Sequence, residues 1–547
     1  MARGLSPGGA ATLGGVDANG AGGEVGRRRF VAPIACALVG LAAFLPALRV
    51  GLLSDDWPLV FAAAQAHSVS DLLTHDINGG HGPVSFYRPV WVGMNRALLG
   101  PGAWHPALLH AAVLVVFALT VLEVYALARS VGPGVNPTVA ALLFAVYPQH
   151  QEAVIWLGGS SDVLATLFIL AALLALALRR LGAWRLLLAA ALALIAALSK
   201  ESAFMLAPLA LLLEWLWRGR LAWRSPATYG GAGAMVVGQL PALLMRVSVL
   251  GGVGGYAAPA PTPARVVATV ASYLAMAVTP PQVDPLANPV TAAVPLVIVA
   301  VLGWLVLTAF RRRARRALTL AAFGLAWAVV ALVPNFNTPA DLSTANGERY
   351  FVLPSVGIAL AVSALLVHHL KPRLRPLEAV AGVVAVLAFL SCVGASLDWV
   401  HATQVSDRLA AAAERLGPRD GELVLLSFPE EYHVAHIGGP SAPLSLTRPD
   451  LRVAACAPVQ VREEGAGIVR FTRRGGDSFG GMTRAAAPFR VRVLGSPRAS
   501  AECSYGATAQ GGLYPGAAGQ IEVRADPTRQ AVRYVYFDGT DLVACCS

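Results

Sequence analysis

Apolar runs of roughly 20 residues recur between residues 30 and 400, separated by short polar loops. A helix of that length crosses about 30 Å of hydrocarbon, and within lipid a helix satisfies its own backbone polar groups. Only 13% of the residues are charged, which is about half the share found in an ordinary soluble domain. The sequence therefore predicts a polytopic α-helical protein that is integral to a lipid bilayer.

Basic residues gather in the loops between the apolar runs. The formal net charge of +11 would also fit a nucleic-acid partner, but short loops rich in Lys and Arg are typical of the cytoplasmic side of membrane proteins. We therefore interpret the charge as a topology signal and expect no nucleic-acid partner. Arg27–Arg29 precede the first run and predict a cytoplasmic N-terminus. Frequent Ala, Gly, Arg and Pro indicate a bacterial inner membrane.

The loop pattern predicts about eleven transmembrane helices. They are expected at residues 30–50, 105–128, 137–147, 163–180, 184–198, 203–217, 226–249, 291–310, 317–333, 350–368 and 378–397. The third, fifth and sixth are short, so we expect them to tilt or to thin the bilayer. Residues 264–280 are apolar too, but a crossing there would place Arg311–Arg316 outside, so we interpret them as a surface helix. The C-terminus then lies outside.

The chain divides into three predicted regions. Residues 1–29 are rich in Gly and Ala and are expected to form a disordered cytoplasmic tail, and residues 30–398 form the membrane domain. In residues 399–547 charges become frequent and short alternating segments appear, which predicts a soluble, mostly-β, extracytoplasmic domain. The clearest alternating segments are 422–426, 489–493 and 533–537. Four of the six cysteines follow the last apolar run. Two alternatives are open for them: a disulfide, if this region lies in an oxidising compartment, or free thiols.

Two adjacent carboxylates, Asp55 and Asp56, begin the first outer loop, residues 51–102. Ionised carboxylates are costly in hydrocarbon, so the pair must face water, a polar cavity or a cation. Residues 58–73 and 87–99 carry apolar positions at helical spacing and are predicted to form two short surface helices. We predict that the pair faces a substrate; the alternative is that the pair, and Asp56 in particular, caps the helix that follows.

Three basic residues are predicted at outer helix ends, although Lys and Arg are usually concentrated on the cytoplasmic side: Arg88, Lys200 and Arg349. Acids at one end of a cavity and cations at another suit a polar substrate with an anionic part, and phosphate is the natural ligand of Arg and Lys. Further polar residues on this side are His150, Glu152, Asp162, Glu201, Asp284, Asp341 and Glu348. Local interpretations are open as well: Lys200–Glu201 and Glu348–Arg349 as neighbouring ion pairs, and His150 as a hydrogen-bonded loop histidine.

Five stretches follow one another in a specific order: Leu53–Trp57 (LSDDW), Tyr87–Val90 (YRPV), Leu143–Val154 (LFAVYPQHQEAV), Ser199–Glu201 (SKE) and Glu348–Ser355 (ERYFVLPS). This series resembles the motifs of the GT-C superfamily of membrane glycosyltransferases. Within it, the series is most similar to the protein O-mannosyltransferases and the transmembrane and tetratricopeptide-repeat mannosyltransferases. There are two departures. Tyr147 stands where relatives often carry His, and no tetratricopeptide repeat follows the last crossing.

The resemblance implies a GT-C-like fold and transfer of a sugar from a polyprenyl-phosphate donor to a hydroxyl acceptor, protein or glycan, at the outer face. Asp55 matches the family's catalytic acid, so it would be the general base of an inverting displacement. Asp56 would orient it or cap the helix. The residues expected to bind the lipid phosphate or to line its pocket are Arg88, His150, Glu152, Lys200, Glu201 and Arg349. The sugar, and any help from a divalent metal, are left open.

Two other functions are compatible with many membrane helices. A transporter or flippase for a lipid-linked or anionic solute would favour charges near the bilayer midplane and inverted repeats, whereas here the polar residues are predicted at one rim and no internal repeat is found. A non-catalytic membrane scaffold acting through its C-terminal domain would tolerate the loss of Asp55.

Overall fold

The structure of the chain is a computed structural model. It describes residues 18–75, 86–99, 105–178, 182–218, 226–252, 262–281, 283, 289–336, 338, 340, 347–369 and 375–417, together with the strands given below and Ile437. Residues 1–17 of the predicted tail lie outside this part. Residues 18–29 already belong to the first helix, so that portion of the predicted disordered tail is helical.

The described chain up to residue 417 is almost entirely helical. Its α-helices are, in order, α1 (Ala18–Phe44), α2 (Asp56–Gln65), α3 (Val69–Thr74), α4 (Pro89–Leu98), α5 (Pro106–Val131), α6 (Pro137–Ala145), α7 (Gln151–Ile155), α8 (Ser161–Ala177), α9 (Trp184–Ser199), α10 (Leu206–Arg218), α11 (Pro226–Leu250), α12 (Pro263–Val278), α13 (Pro289–Arg311), α14 (Arg315–Leu332), α15 (Val352–His369) and α16 (Arg375–Leu416). Several begin on proline, which suits the first helical position because its missing N–H would have no partner there.

Eight helical segments of the described residues are long and apolar enough to cross a membrane. They are Phe30–Arg49, Pro106–Val131, Leu157–Ala177, Tyr229–Leu250, Thr291–Arg311, Arg315–Asn335, Glu348–His368 and Gly382–Leu416. The chain is therefore an integral membrane protein, and each segment overlaps a predicted crossing. The other three predicted crossings are α6, α9 and α10, with 9, 16 and 13 residues. The count of eleven is not confirmed. The predicted surface helix corresponds to α12, which has 16 residues.

Helices α14 and α15 pack backbone against backbone at two glycines. A Cβ atom on Gly324 would collide with the carbonyl oxygen of Gly357, and one on Gly357 would collide with that of Gly324. The indole N–H of Trp327 also donates to the carbonyl of Leu353 at 3.0 Å. These contacts fix the beginning of α15, where the ERYFVLPS stretch lies.

Helices α9 and α11 approach each other in the same way. A Cβ atom on Gly238 would collide with the backbone of Ala190. The side chain of Gln239 donates to the carbonyl of Ala203 at 2.6 Å, just after the SKE stretch. As a result, the second half of α11 is held beside the end of α9.

The first predicted outer loop contains α2, α3 and α4 where two short helices were expected. Helix α3 begins with a capping box, in which Ser68 and Asp71 each accept the other's backbone N–H. Residues 76–85, which include most of the predicted polar turn between the helices, lie outside the described part.

Helix α16 runs to Leu416, past the predicted boundary at residue 398. The strands described beyond it are β1 (Glu422–Leu425), β2 (Glu431–Tyr432), β3 (Ala435–His436), β4 (Arg452–Ala455), β5 (Gln460–Glu463), β6 (Ile468–Thr472), β7 (Pro488–Leu494), β8 (Ser500–Glu502), β9 (Gln520–Asp526), β10 (Val532–Phe537) and β11 (Leu542–Ala544). They form sheets of order β11-β10-β1-β4, β2-β3 and β5-β6-β7-β9-β8. Strands β1, β7 and β10 overlap the three predicted segments, and a separate mostly-β domain stays a prediction.

The described cysteines, Cys36 and Cys392, are buried free thiols inside the helical part. The four cysteines for which a disulfide was left open, Cys456, Cys503, Cys545 and Cys546, lie outside the described residues.

Candidate functional site

The two adjacent aspartates lie in different environments at the beginning of α2. Asp55 is exposed, whereas only 1% of Asp56 is exposed. The Asp56 carboxyl accepts the backbone N–H groups of Leu53 at 3.0 Å and Gly158 at 2.8 Å. Asp56 therefore does not cap α2, as one interpretation of the sequence had it. It ties the Asp55 turn to the turn that precedes α8.

The burial of Asp56 changes its chemistry. Burial raises the pKa of Asp56 to about 8, against the lowering effect of the two N–H donors, and the neighbouring Asp55 raises it further. At neutral pH the buried carboxyl of Asp56 is therefore mostly protonated, and Asp55 is the member of the pair that faces solvent.

One group of charged residues joins α4, α8, α9 and α11, and we call Arg88, Asp162, Lys200, Glu201 and Arg246 the arginine cluster. The Arg88 guanidinium contacts both carboxylate oxygens of Glu201, at 2.7 and 3.3 Å. A guanidinium nitrogen of Arg246 lies 3.6 Å from Glu201. The Lys200 ammonium pairs with Asp162. Among the described residues of this cluster, three cations thus lie around two carboxylates, and cations gathered in this way are suited to an anionic ligand.

Glu201 is the member of the arginine cluster that reaches solvent, with 26% of its side chain exposed. Burial acts to raise the pKa of Glu201, but Arg88, Lys200 and Arg246 together lower it to about 2. Glu201 is therefore ionised at all physiological pH values and holds the three cations around it.

Arg246 was not among the residues predicted from the sequence. It lies inside the apolar run 226–249, its side chain is 3% exposed, and it follows Gly238 by about two helical turns on the face packed against α9. The signal was available, because a charged residue within an apolar span is costly unless it faces the protein interior and a partner.

A second group surrounds Glu152, and we call Gln151, Glu152, Glu348, Arg349 and His436 the glutamate cluster. Glu152 is fully buried and accepts the backbone N–H groups of Gly347 at 3.0 Å and Arg349 at 2.9 Å. It also pairs with the Arg349 guanidinium. Gln151 donates to Glu348 at 2.6 Å. Arg349 therefore pairs with Glu152, far away in the sequence, and not with its neighbour Glu348.

Tyr350 lies between the two clusters. The Lys200 ammonium is 5.1 Å from the centre of its ring, and the Arg349 guanidinium carbon is 4.6 Å from it. Arg349 also donates to the Tyr350 hydroxyl at 3.0 Å. Both cations thus lie against one aromatic ring, at distances typical of cation–π contacts, and the two clusters are neighbours.

His150 directly precedes Gln151 of the glutamate cluster, but its side chain contacts other residues. It is fully buried, and its Nε2 is 2.8 Å from the Ser355 hydroxyl. The rings of Phe144 and Tyr147 lie 4.6 and 5.3 Å from its ring, centre to centre. Burial lowers the pKa of His150 to about 3, so the imidazole is neutral. This environment is that of a packed histidine and not of a residue lining an open pocket.

His436 was also missed from the sequence, because the chain beyond residue 398 was assigned to a separate domain. Its Nε2 is 3.6 Å from the Glu152 carboxylate. Its ring lies 5.2 Å from that of Trp156 and 5.7 Å from that of Trp399, centre to centre. Nothing in the local sequence around His436 indicated this contact.

The structure thus brings most of the predicted site residues together. Arg88, Lys200 and Glu201 lie in the arginine cluster, and Glu152 and Arg349 lie in the glutamate cluster. Asp56 is hydrogen-bonded to Gly158, in the turn that joins α7 to α8. Two acids singled out from the sequence, Asp284 and Asp341, lie outside the described residues. Among the described residues, no group of three or more His, Cys, Asp or Glu side chains is placed to hold a metal ion.

No protein-family model matches the chain, and no curated protein matches it. Among solved structures it is similar to the oligosaccharyltransferase of Archaeoglobus fulgidus, crystallised with a tethered acceptor peptide that contains an NVT sequon. The identity is 12% and the TM-score 0.35, over 75% of this chain and 64% of that one. The chain thus spans slightly less than two thirds of that protein's length. A similarity of this size does not determine the function of the chain.

Proposed function

We propose that this integral membrane protein is a GT-C-type glycosyltransferase that moves a sugar from a polyprenyl-phosphate donor to a hydroxyl acceptor. The observation that carries the proposal is the convergence of five stretches that resemble GT-C motifs. Asp56 is bonded to Gly158, Arg88 to Glu201, and Arg349 to Glu152. Lys200 and Arg349 share the ring of Tyr350. These contacts join the last four stretches to one another, and the first stretch reaches Gly158, four residues beyond the third.

In the proposed reaction Asp55 is the general base. It accepts the proton of the acceptor hydroxyl while the hydroxyl oxygen attacks the anomeric carbon and the bond to the lipid phosphate breaks. The phosphate leaves with the bonding electrons, so the configuration at the anomeric carbon inverts. A phosphate is already a stable anion and needs cations, not a general acid. Asp56 holds the turn that presents Asp55.

The arginine cluster is the proposed site for the donor phosphate. Arg88, Lys200 and Arg246 bring three cationic side chains together around Glu201 and Asp162, and the cluster reaches solvent at Glu201. Arg349 is proposed as a further phosphate ligand that lies across Tyr350. We assign Glu152 to holding Arg349, and His150 to packing within the bundle.

The orientation follows from the charge pattern. We propose that the site faces the outer side of a bacterial inner membrane, with the N-terminus cytoplasmic and the mostly-β region of residues 399–547 extracytoplasmic. We further propose that α6, α9 and α10 also cross the membrane, which gives eleven crossings, and that these short helices tilt or thin the bilayer locally. A protein and a glycan acceptor both remain compatible with this arrangement.

A transporter of an anionic lipid is the second candidate, and one observation favours it. Arg246 and Asp162 lie within membrane-spanning segments, where charged residues often mark a solute pathway. The phosphate would then bind at the same cluster, but no bond in the donor would break.

Transfer and transport are separated by following the donor in liposomes that contain the purified protein. A polyprenyl-phosphate sugar labelled in the sugar should lose its label to the acceptor, and free polyprenyl phosphate should appear in equal amount. The Arg246→Met variant should need about tenfold more donor at unchanged maximal rate, since a charged hydrogen bond contributes about 1.5–3 kcal/mol. The matched control is Arg408→Met, an exposed position on α16. Movement of intact donor across the bilayer without release of polyprenyl phosphate would support the transporter and refute the transferase.

A further inference from the structure

The turn that carries Asp55 is held by three contacts from distant parts of the chain. The Gly51 N–H donates to the Thr403 hydroxyl at 3.0 Å, and the Ser54 N–H donates to the carbonyl of Ile437 at 3.1 Å. On the other side of Asp55, Asp56 accepts the N–H of Gly158 at 2.8 Å. Asp55 therefore lies between Ser54 and Asp56, each of which is hydrogen-bonded to a distant part of the chain.

Ser54 adopts a backbone conformation that a serine rarely holds without support. Its φ is 47°, and among the described residues Arg313 is the other non-glycine residue with a positive φ. L-residues lose free energy in this left-handed region, so such a conformation persists where the surroundings impose it. The bond from Ser54 to Ile437 is a contact that can impose it.

Ile437 belongs to a short hairpin, and we call β2, β3 and Ile437 the closing hairpin. Its strands pair Glu431 with His436 and Tyr432 with Ala435. Ala435 and Ile437 are buried in the same apolar core as the helices. The closing hairpin is therefore packed into the helical bundle and is not a loose appendage of the C-terminal region.

His436 anchors the closing hairpin to the helices around the site. Its ring packs on Trp399 of α16 and on Trp156, two residues before Gly158. Its Nε2 lies 3.6 Å from Glu152, which also pairs with the Arg349 guanidinium. His436 thus belongs to the glutamate cluster, while the next residue, Ile437, accepts a hydrogen bond from the Asp55 turn.

We infer that the closing hairpin completes the candidate site from beyond the last membrane helix, with His436 as a positioning residue that fixes the Asp55 turn through Ile437. The role of Asp55 in this inference rests on the proposed function, but the mechanical link between the closing hairpin and the turn does not. The inference makes the region after α16 part of the site and not only an attached domain.

Two measurements on the full-length protein in detergent test the inference. The first is hydrogen exchange of the peptide that covers residues 51–57. In the His436→Ala variant this peptide should exchange about tenfold faster, because the Ser54 amide loses a fixed acceptor. The second is sugar transfer. The maximal rate should fall by about a hundredfold, as expected when a reacting group is displaced by about 1 Å, while the KM for the donor stays within a factor of about three.

Controls separate positioning from a general loss of structure. His436→Gln retains a hydrogen-bond donor at similar reach and should recover most of the exchange protection and rate. His67→Ala alters an exposed histidine in the first outer loop and should change neither quantity. If His436→Ala does not accumulate, His436→Leu keeps an apolar side chain against the two tryptophans without the polar contact to Glu152.

Faster exchange at residues 51–57, with a lower maximal rate that His436→Gln restores, is the expected result. Unchanged exchange in His436→Ala, or in His436→Leu, would overturn the inference whatever the activity. Faster exchange with a wild-type rate would overturn the positioning role of His436. If the wild-type protein transfers no sugar, the proposed function fails, and the exchange result alone decides whether the closing hairpin holds the turn.

Discussion

Replacing Glu152 by glutamine should be among the most destabilising single changes in this protein. Glu152 is fully buried and serves three donors: the backbone N–H groups of Gly347 and Arg349, and the Arg349 guanidinium. Glutamine keeps one acceptor oxygen, but it presents an NH₂ group to donors and removes the negative charge of Glu152 from beside the Arg349 guanidinium.

The size of the effect follows from these contacts. Removing one partner of a buried ion pair costs about 3–5 kcal/mol, and a buried N–H without an acceptor costs about 1–3 kcal/mol more. Arg349 keeps its contacts with Tyr350 and is 9% exposed, which moderates the loss. We therefore expect Glu152→Gln to lower the free energy of unfolding by about 3–4 kcal/mol.

Reversible unfolding in detergent micelles, followed by tryptophan fluorescence, measures this difference. The matched control is Glu414→Gln, an exposed glutamate near the end of α16, which should change stability by less than about 0.5 kcal/mol. The double variant Glu152→Gln with Arg349→Gln should be less destabilised than the sum of the two single variants, because both substitutions remove the same ion pair. A Glu152→Gln variant as stable as the control would refute the reasoning, since Glu152 would then not hold Arg349.

Two further predictions concern the turn that carries the aspartates. Burial raises the pKa of Asp56 from 3.8 to about 8. The protonated carboxyl therefore contributes its full share to the free energy of unfolding below about pH 4, and this contribution is lost as the pH rises through about 8. Asp56→Asn should therefore flatten the fall of the unfolding midpoint between about pH 5 and pH 9, and an unaltered pH profile would contradict the burial of a protonated carboxyl. Ser54→Gly should stabilise the protein by about 1 kcal/mol, and Ser54→Val should destabilise it, because Ser54 has a φ of 47°. Equal unfolding midpoints for the three proteins would argue against the left-handed turn.

Much of the helical architecture could be predicted from the sequence, because the length and spacing of apolar runs report directly on crossings. All eight spans of the described residues overlap predicted ones. The three short runs could not be resolved in this way, since a helix of 9 to 16 residues can cross, tilt or remain inside the protein. Their role depends on packing that a hydropathy pattern does not record.

The partners of the charged residues were the least predictable part of the site. The sequence places Arg349 beside Glu348, yet the bond is made to Glu152, because the turn at Gly347 directs two backbone N–H groups and the guanidinium to the same carboxylate. The φ of 102° at Gly347 allows that turn. Long-range pairs of this kind depend on how helices pack, and local patterns carry no signal for them.

The end of α16 could have been predicted better. Charges become frequent after residue 398, and that composition change was interpreted as the end of the helix. Buried residues nevertheless continue at helical spacing through Trp399, Ala402, Val405, Leu409 and Ala412. This apolar face belongs to the same core as Leu423 of β1 and as Ile437, which follows β3. The region after the last crossing is thus connected to the candidate site through α16.

The most direct test of the central claim is sugar transfer by the Asp55→Asn variant. The assay uses the purified protein in liposomes with a labelled polyprenyl-phosphate sugar. It compares the variant with wild type and with Asp71→Asn, a partly exposed aspartate of the same predicted loop whose capping contact with Ser68 an asparagine oxygen can also make. Loss of a general base should lower the maximal rate by at least about a hundredfold. The KM for the donor and the unfolding midpoint should stay close to those of the wild type, and Asp71→Asn should keep its activity. Near-normal transfer by Asp55→Asn would contradict the account.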